Sequence, residues 1–124
     1  MAKKSLSLRS EQYLESMGFL VWRVEVYNKF ANKKKDLFNI ADTIAIRGKE
    51  ILLVQTTSRP NVRSREYKIL ESPYLHKIID SGIKIFVHGW RLKKGAYDLL
   101  EIEVTKDGRG HVQDKTFNGE SFSI

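Results

Sequence analysis

Apolar residues recur along this chain with two different spacings. In FLVWRVEV (19–26), IADTIAI (40–46), ILLVQTT (51–57), IKIFVHGW (83–90) and YDLLEIEVT (97–105) they alternate with polar residues or form short continuous runs. Such patterns, rich in β-branched and aromatic residues, predict strands. From Ser7 to Met17 the spacing is helical. Leu6, Tyr13, Leu14 and Met17 can face a core, Ser7 or Ser10 can cap the start, and Gly18 is placed to end the helix. VRSREYKILE from Val62 predicts a second helix with a basic face, and Pro73 either breaks it or begins a third, YLHKIID, which Ser81 and Gly82 end. YNKFANKKK reads as a basic loop, RGKE as a tight turn at Gly48, RLKKG as a second basic loop, and KDGRG as a turn. One solvated face on YDLLEIEVT predicts an edge strand. The tail from His111, with Val112, Phe117 and Phe122, is expected to be loose or to add a short edge strand. The order helix, three strands, helices, strand, strand predicts an α/β fold, a central mixed sheet flanked by helices.

Two of the strands carry polar residues where a core strand has none. Successive strand side chains point to opposite faces, so Asp42 shares a face with Ile40, Ile44 and Ile46, and Gln55 and Thr57 share one with Ile51 and Leu53. A carboxylate amid apolar neighbours is costly unless something pairs with it, which makes Asp42 the principal candidate for chemistry. Asp36, six residues earlier, is a second acidic candidate, with the alternative that it pairs with the lysines before it. Glu11 and Glu15, one turn apart on the first helix, can approach from that side.

With 124 residues the chain fits one domain, its core at about 7–105 and a tail at 106–124. No apolar run approaches the ~20 residues of a membrane span, and no signal-like segment follows the basic start, so a cytoplasmic protein without membrane association is expected. The absence of cysteine excludes disulfides and thiolate metal sites, and His76, His88 and His111 lack zinc-ligand spacing. His88 and His111 read as incidental. Any metal is therefore expected on oxygen ligands, which suits Mg2+ or Mn2+. The 22 Lys+Arg against 15 Asp+Glu give a charge of +7. They cluster as Lys29 with Lys33, Lys34 and Lys35; Arg59, Arg63, Arg65 and Lys68; and Arg91, Lys93 and Lys94. Such clusters attract polyanions, chiefly nucleic acid.

Ala41-Asp42 followed by Gln55-Thr56-Thr57, within helix, three strands, helix, strand, resembles the PD-(D/E)xK nuclease superfamily. The similarity spans about residues 7 to 90, including MGFLVWRVEV and IKIFVHGW, and is greatest to Holliday-junction-resolvase-like and phage-type members, with QxT as a variant of (D/E)xK. The resemblance implies a restriction-endonuclease-like αβββαβ core and Mg-dependent hydrolysis of phosphodiester bonds in DNA, including branched or single-stranded DNA, by a protein that can act as a homodimer. It implies Asp42, Gln55 and the Thr56 backbone carbonyl as metal ligands; Asp36 at the strand entry, or Glu11 or Glu15 from the first helix, is expected to add negative charge, although the family's helix glutamate usually stands farther upstream. Thr57 stands where the family has its lysine, so a cation reaching back from the next helix, Lys68, Arg63 or Arg65, is expected to replace it.

Each feature also has a plainer reading. Gln55 and Thr57 suit cross-strand hydrogen bonds, and Arg63, Arg65 and Lys68 suit phosphate contacts or a solvated helix face. Trp22 and Trp90 read as packing aromatics, with Trp90 beside Arg91 able to stack on an unpaired base. The rival functions are a catalytically inactive nucleic-acid-binding module and an interaction subunit that pairs its 97–105 edge with a partner.

Overall fold

The computed structural model describes residues 5–118. Its first helix, α1 (Leu6–Ser16), is capped by Ser5 rather than by Ser7 or Ser10: the Ser5 hydroxyl accepts from Leu8 N at 3.1 Å. Ser10 is instead buried in the helix's inner face beside Tyr13, Leu14 and Arg9, whose guanidinium stacks over the Tyr97 ring at 3.3 Å. Gly18, at φ +90°, adopts the left-handed conformation that turns the chain out of the helix.

The 19–26 run is not one strand. It divides into β1 (Leu20–Arg23) and β2 (Val26–Asn28), and the basic segment after it folds as a hairpin in which β2 pairs with β3 (Lys33–Lys35) in a separate two-stranded sheet. The second predicted strand also starts later. Phe38 and Asn39 take φ of 55° and 57°, and a Leu37–Ala41 bridge closes a tight turn, so β4 covers only Thr43–Arg47. A bulky residue in the left-handed region is unusual, and such strain is found where position matters more than ease. β5 (Glu50–Ser58) follows through Gly48 at φ +58°.

A 3-10 turn (Arg59–Asn61) with Pro60 near its start leads into α2 (Val62–Leu70), and α3 (Leu75–Asp80) follows Pro73. β6 (Lys84–Lys93) runs three residues past Trp90, because the basic segment pairs with β7 (Ala96–Thr105) before turning at Lys94 and Gly95. β7 is an inner strand, not the edge. The edge is β8 (Gly108–Asn118), which pairs along most of β7 and so removes the 97–105 strand as a docking edge. Its side chains tie it down. Arg109 donates to Glu66 of α2 at 2.7 and 2.8 Å, Asp114 accepts from Arg59, and Phe117 packs edge-on to Tyr13. Phe122 lies outside the described residues.

The fold is mixed α/β, with a six-stranded sheet in the order β1-β4-β5-β6-β7-β8. Only β5 and β6 are parallel, with α2 and α3 forming their crossover. Alternation along β5 divides the core in two. Leu52 and Val54 pack with Tyr13 and Leu14 of α1, while Leu53 packs with Val62 and Ile69 of α2 and Ile78 of α3. At Gly89 of β6 a Cβ would lie 2.2 Å from the Val62 Cγ2, so glycine is what lets α2 sit this close to the sheet. The described residues include no helix long and apolar enough to cross a membrane.

Candidate functional site

The ends of β5 and β6 that carry Thr57 and Trp90, the start of β4 and the end of β1 all meet at one end of the sheet, as the register Arg23↔Thr43↔Val54 and Ser58↔Trp90 requires. Asp42 stands there, just before β4, and is 3% exposed. Its backbone is fixed on both sides. Asp42 N donates to Val54 O at 3.0 Å, and Val24 N donates to Asp42 O at 2.8 Å. The carboxylate is held by three neutral donors. Gln55 Nε2 and Thr56 N each donate to Oδ2 at 3.0 Å, and Thr43 Oγ1 donates to Oδ1 at 2.8 Å.

Burial pushes the Asp42 carboxyl above the ordinary carboxylate value; the three hydrogen bonds pull it back only in part, and the nearby Asp36 charge pushes it further up. Asp42 and Asp36 are thus brought near each other. Gln55 and Thr57, both buried, lie on the sheet face that carries α2, as alternation requires. Thr56 N–H and C=O leave the strand on the same side, toward the carboxylate. Three of the four lone-pair directions of Asp42 are taken, and one on Oδ1 is left. Among the described residues no cluster of three or more His, Asp or Glu cages a metal. Gln55 as placed presents its N–H rather than its oxygen to Asp42, so an oxygen-ligated cation such as Mg2+ would need that amide turned over.

Glu11 is engaged at the rim: Arg23 of β1 ion-pairs with it and lies in the field of Glu11, Glu25 and Asp42. Glu15 is exposed.

The three cations on α2 separate by helical geometry. Val62 and Ile69 mark the centre of the buried stripe, and each residue turns the helix by about 100°, so Arg65 and the buried Glu66 lie on opposite sides of it. Glu66 reaches β8 through Arg109, which leaves the Arg65 flank facing β5 and β4. Lys68, on that flank, lines a hollow with Phe38 and Asn39 of the turn before Asp42. Arg63 lines another hollow with Glu66 and Arg109 and faces away from Asp42. Arg65 is half-buried, and its Nε has no hydrogen-bond partner among the described residues.

The other basic residues are unevenly free. Lys33, Lys35 and Lys93 are exposed, and Lys34 is exposed but 3.6 Å from Glu25, whereas Arg59 is held by Asp114 at 2.6 Å and Arg91 by Asp98 at 2.7 Å. Trp90 is 1% exposed and donates to Ser10 Oγ at 2.9 Å, so it stacks on no base; Trp22, expected in the core, is 72% exposed.

His88 is not incidental. It is fully buried, with Nδ1 2.9 Å from Ser10 Oγ and Nε2 2.8 Å from Glu101 Oε2. Trp90 Nε1 and Thr56 Oγ1 both donate to Ser10 Oγ at 2.9 Å, and the His88 ring bridges Ser10 on one side and Glu101 on the other. Burial alone would push the Glu101 carboxyl up, but the His88 hydrogen bond and the positive fields of His88, Lys115 and His111 outweigh it and hold the group below the ordinary value. Burial, then the Glu101 carboxylate, pushes the Tyr13 phenol up. Serine, histidine and glutamate in sequence suggest a nucleophilic triad, yet Ser10 and His88 are 0% exposed and closed to substrate. The network instead latches α1 to Thr56, whose N–H holds Asp42.

Sequence reasoning missed Ser10, Thr43, His88 and Glu101. Thr43 was marked only by adjacency to Asp42, and the other three are isolated polar residues whose partners lie far along the chain. No protein-family model matches this chain, and a search of curated proteins finds no significant match.

Proposed function

We propose that this protein is a metal-dependent nuclease of the PD-(D/E)xK type that hydrolyses phosphodiester bonds in DNA. The observation that carries the reading is Asp42: a buried carboxylate whose ionisation the fold opposes, held by the neutral donors Gln55, Thr56 and Thr43 at one end of the sheet. In this reading α1, β1, β4, β5, α2 and β6, with β5 and β6 parallel, serve as a restriction-endonuclease-like core that β7 and β8 extend.

In this reading Asp42, the Thr56 carbonyl and the Gln55 side-chain oxygen, after an amide flip, hold Mg2+ or Mn2+. When bound, the cation neutralises charge growing on the phosphate and lowers the pKa of attacking water. Asp36 adds negative charge at the rim. Thr57 is too short and uncharged to do the work of a lysine, and Arg65 takes that place, directing its guanidinium at the phosphate from the α2 flank. Lys33, Lys34, Lys35, Lys68 and Lys93 hold the DNA backbone.

The test is incubation of the protein with plasmid, single-stranded and junction DNA in Mg2+ or Mn2+. Wild type is expected to cleave, and Asp42→Ala to bind DNA without cutting it. Absence of cleavage by wild type on every substrate refutes the enzyme. The second reading, a silent binding module, is favoured by the Gln55 amide turning its N–H, which donates to Asp42, rather than its oxygen toward the carboxylate. It predicts salt-sensitive DNA binding that is indifferent to Mg2+.

A further inference from the structure

The β2–β3 hairpin combines exposed apolar residues with a run of lysines. Phe30 at its tip is 101% exposed, Tyr27 is 56% and Val26 66% exposed, and Lys29, Lys33, Lys34 and Lys35 flank them. Isolated two-stranded hairpins are marginal in water, yet this one is internally braced. Tyr27 OH donates to Asn32 Oδ1, Asn32 takes a left-handed φ of 50°, and Lys34 sits 3.6 Å from Glu25. The brace fixes the tip while leaving the Phe30 ring in water.

The hairpin is also rooted at the site. β3 ends one residue before Asp36, whose charge acts on Asp42. Phe30 precedes Asp36 by six residues, so at about 3.4 Å per residue the tip reaches at most about 20 Å from it. Lysines repel most apolar occupants and favour a polyanion, and a polyanion with flat apolar faces is a nucleic acid whose bases are unstacked. We infer that the β2–β3 hairpin is an arm that recognises unpaired or unstacked bases, Phe30 stacking on a base while Lys29, Lys33 and Lys35 hold the adjoining phosphates. This rests on the nucleic-acid part of the reading above, not on catalysis.

The test uses the full chain in EDTA, which prevents cleavage, with a blunt duplex and the same duplex carrying a short single-stranded gap labelled with 2-aminopurine. Wild type is expected to prefer the gapped duplex by about 5-fold or more and to quench the label. Phe30→Ala is expected to bring the preference near unity while keeping salt-dependent duplex binding, and Phe30→Trp to restore it. Lys33→Gln with Lys35→Gln should weaken both complexes and lower the salt slope by about 2. An unchanged preference in Phe30→Ala, no preference in wild type, or a Phe30 effect only on anionic-vesicle binding or self-association overturns the inference. Cleavage is measured separately in Mg2+: its absence with Phe30-dependent binding refutes only the nuclease, and cleavage without Phe30 dependence refutes only the arm.

Discussion

Replacing Asp42 by Asn and by Ala separates a carboxylate kept for chemistry from one kept for stability. Ala removes the acceptor of three donors. Thr43 and Gln55 can rotate toward other partners, but the Thr56 N–H cannot, and a buried donor left unmet costs about 1–3 kcal/mol. At roughly 4 °C per kcal/mol for a chain of this size, Asp42→Ala should melt about 4–12 °C lower. Asn keeps the shape and an oxygen for Thr56 N–H while abolishing the charge that burial opposes, so Asp42→Asn should melt at or above wild type.

The pH dependence carries the sign. A folded-state pKa raised above the unfolded value means that the native state binds more protons in between, so this group's contribution falls as pH rises from about 3.8 to its raised value and stays unfavourable above it. The stability gap between Asp42→Asn and wild type should therefore open with rising pH and then level. Urea unfolding across a pH series measures it. Mg2+ at ten times its dissociation constant should stabilise wild type by about 1.4 kcal/mol and Asp42→Asn not at all. If Asn costs as much as Ala, or the gap widens toward acid, the charged carboxylate is a structural support and the case for an active site at Asp42 falls.

Arg65→Ala should lower the cleavage rate about 100- to 1,000-fold with DNA affinity little changed, while Arg63→Ala, on the opposite flank of α2, leaves the rate intact; gel assays of cleavage and binding distinguish them. Gly89→Ala drives a Cβ to 2.2 Å from Val62 Cγ2 and should cost about 1–3 kcal/mol in urea unfolding, part of it recovered by Val62→Ala in the same chain. Glu101, held below its ordinary value near 4.5, has the opposite sign to Asp42: its stabilisation is present above that value and is lost as pH falls through the depressed one. Glu101→Gln should remove this acid-sensitive contribution, seen as a flatter acid limb of the stability profile.

The periodicity of the chain carries information about faces better than about ends. Alternation grouped Asp42 with Ile44 on its strand, and Gln55 and Thr57 with Leu53 on theirs, because a strand's period of two holds wherever the strand is regular; that the two groups share one face follows from the β4–β5 register. It did not show that the strand begins only at Thr43, since the left-handed pair Phe38-Asn39 that delays it is a backbone event with a non-glycine residue in it. The arm was hidden for a similar reason: YNKFANKKK lacks a strand's apolar alternation, and its pairing comes from a brace, Tyr27 to Asn32, rather than from burial. YDLLEIEVT was misplaced as an edge because Glu101 reads as solvated. Its charge is buried against a histidine 13 residues earlier on the neighbouring strand, a pairing that only the β6–β7 register reveals.

That same register gives β5 two unlike neighbourhoods within three residues. Gln55 and Thr57 face α2 and the Arg65 flank, whereas the Thr56 hydroxyl points the other way, into the Ser10–His88–Glu101 network under α1. Thr56 joins the two through its backbone, since its N–H meets Asp42 while its side chain is anchored behind the sheet. A strand end at a sheet opening would otherwise fray. Here a buried, fully hydrogen-bonded network fixes it from the far side, so the near side can hold a carboxylate in a position that costs stability. The two faces of one short segment thus divide the work, and a lesion in the network should reach the Asp42 side through the position of Thr56.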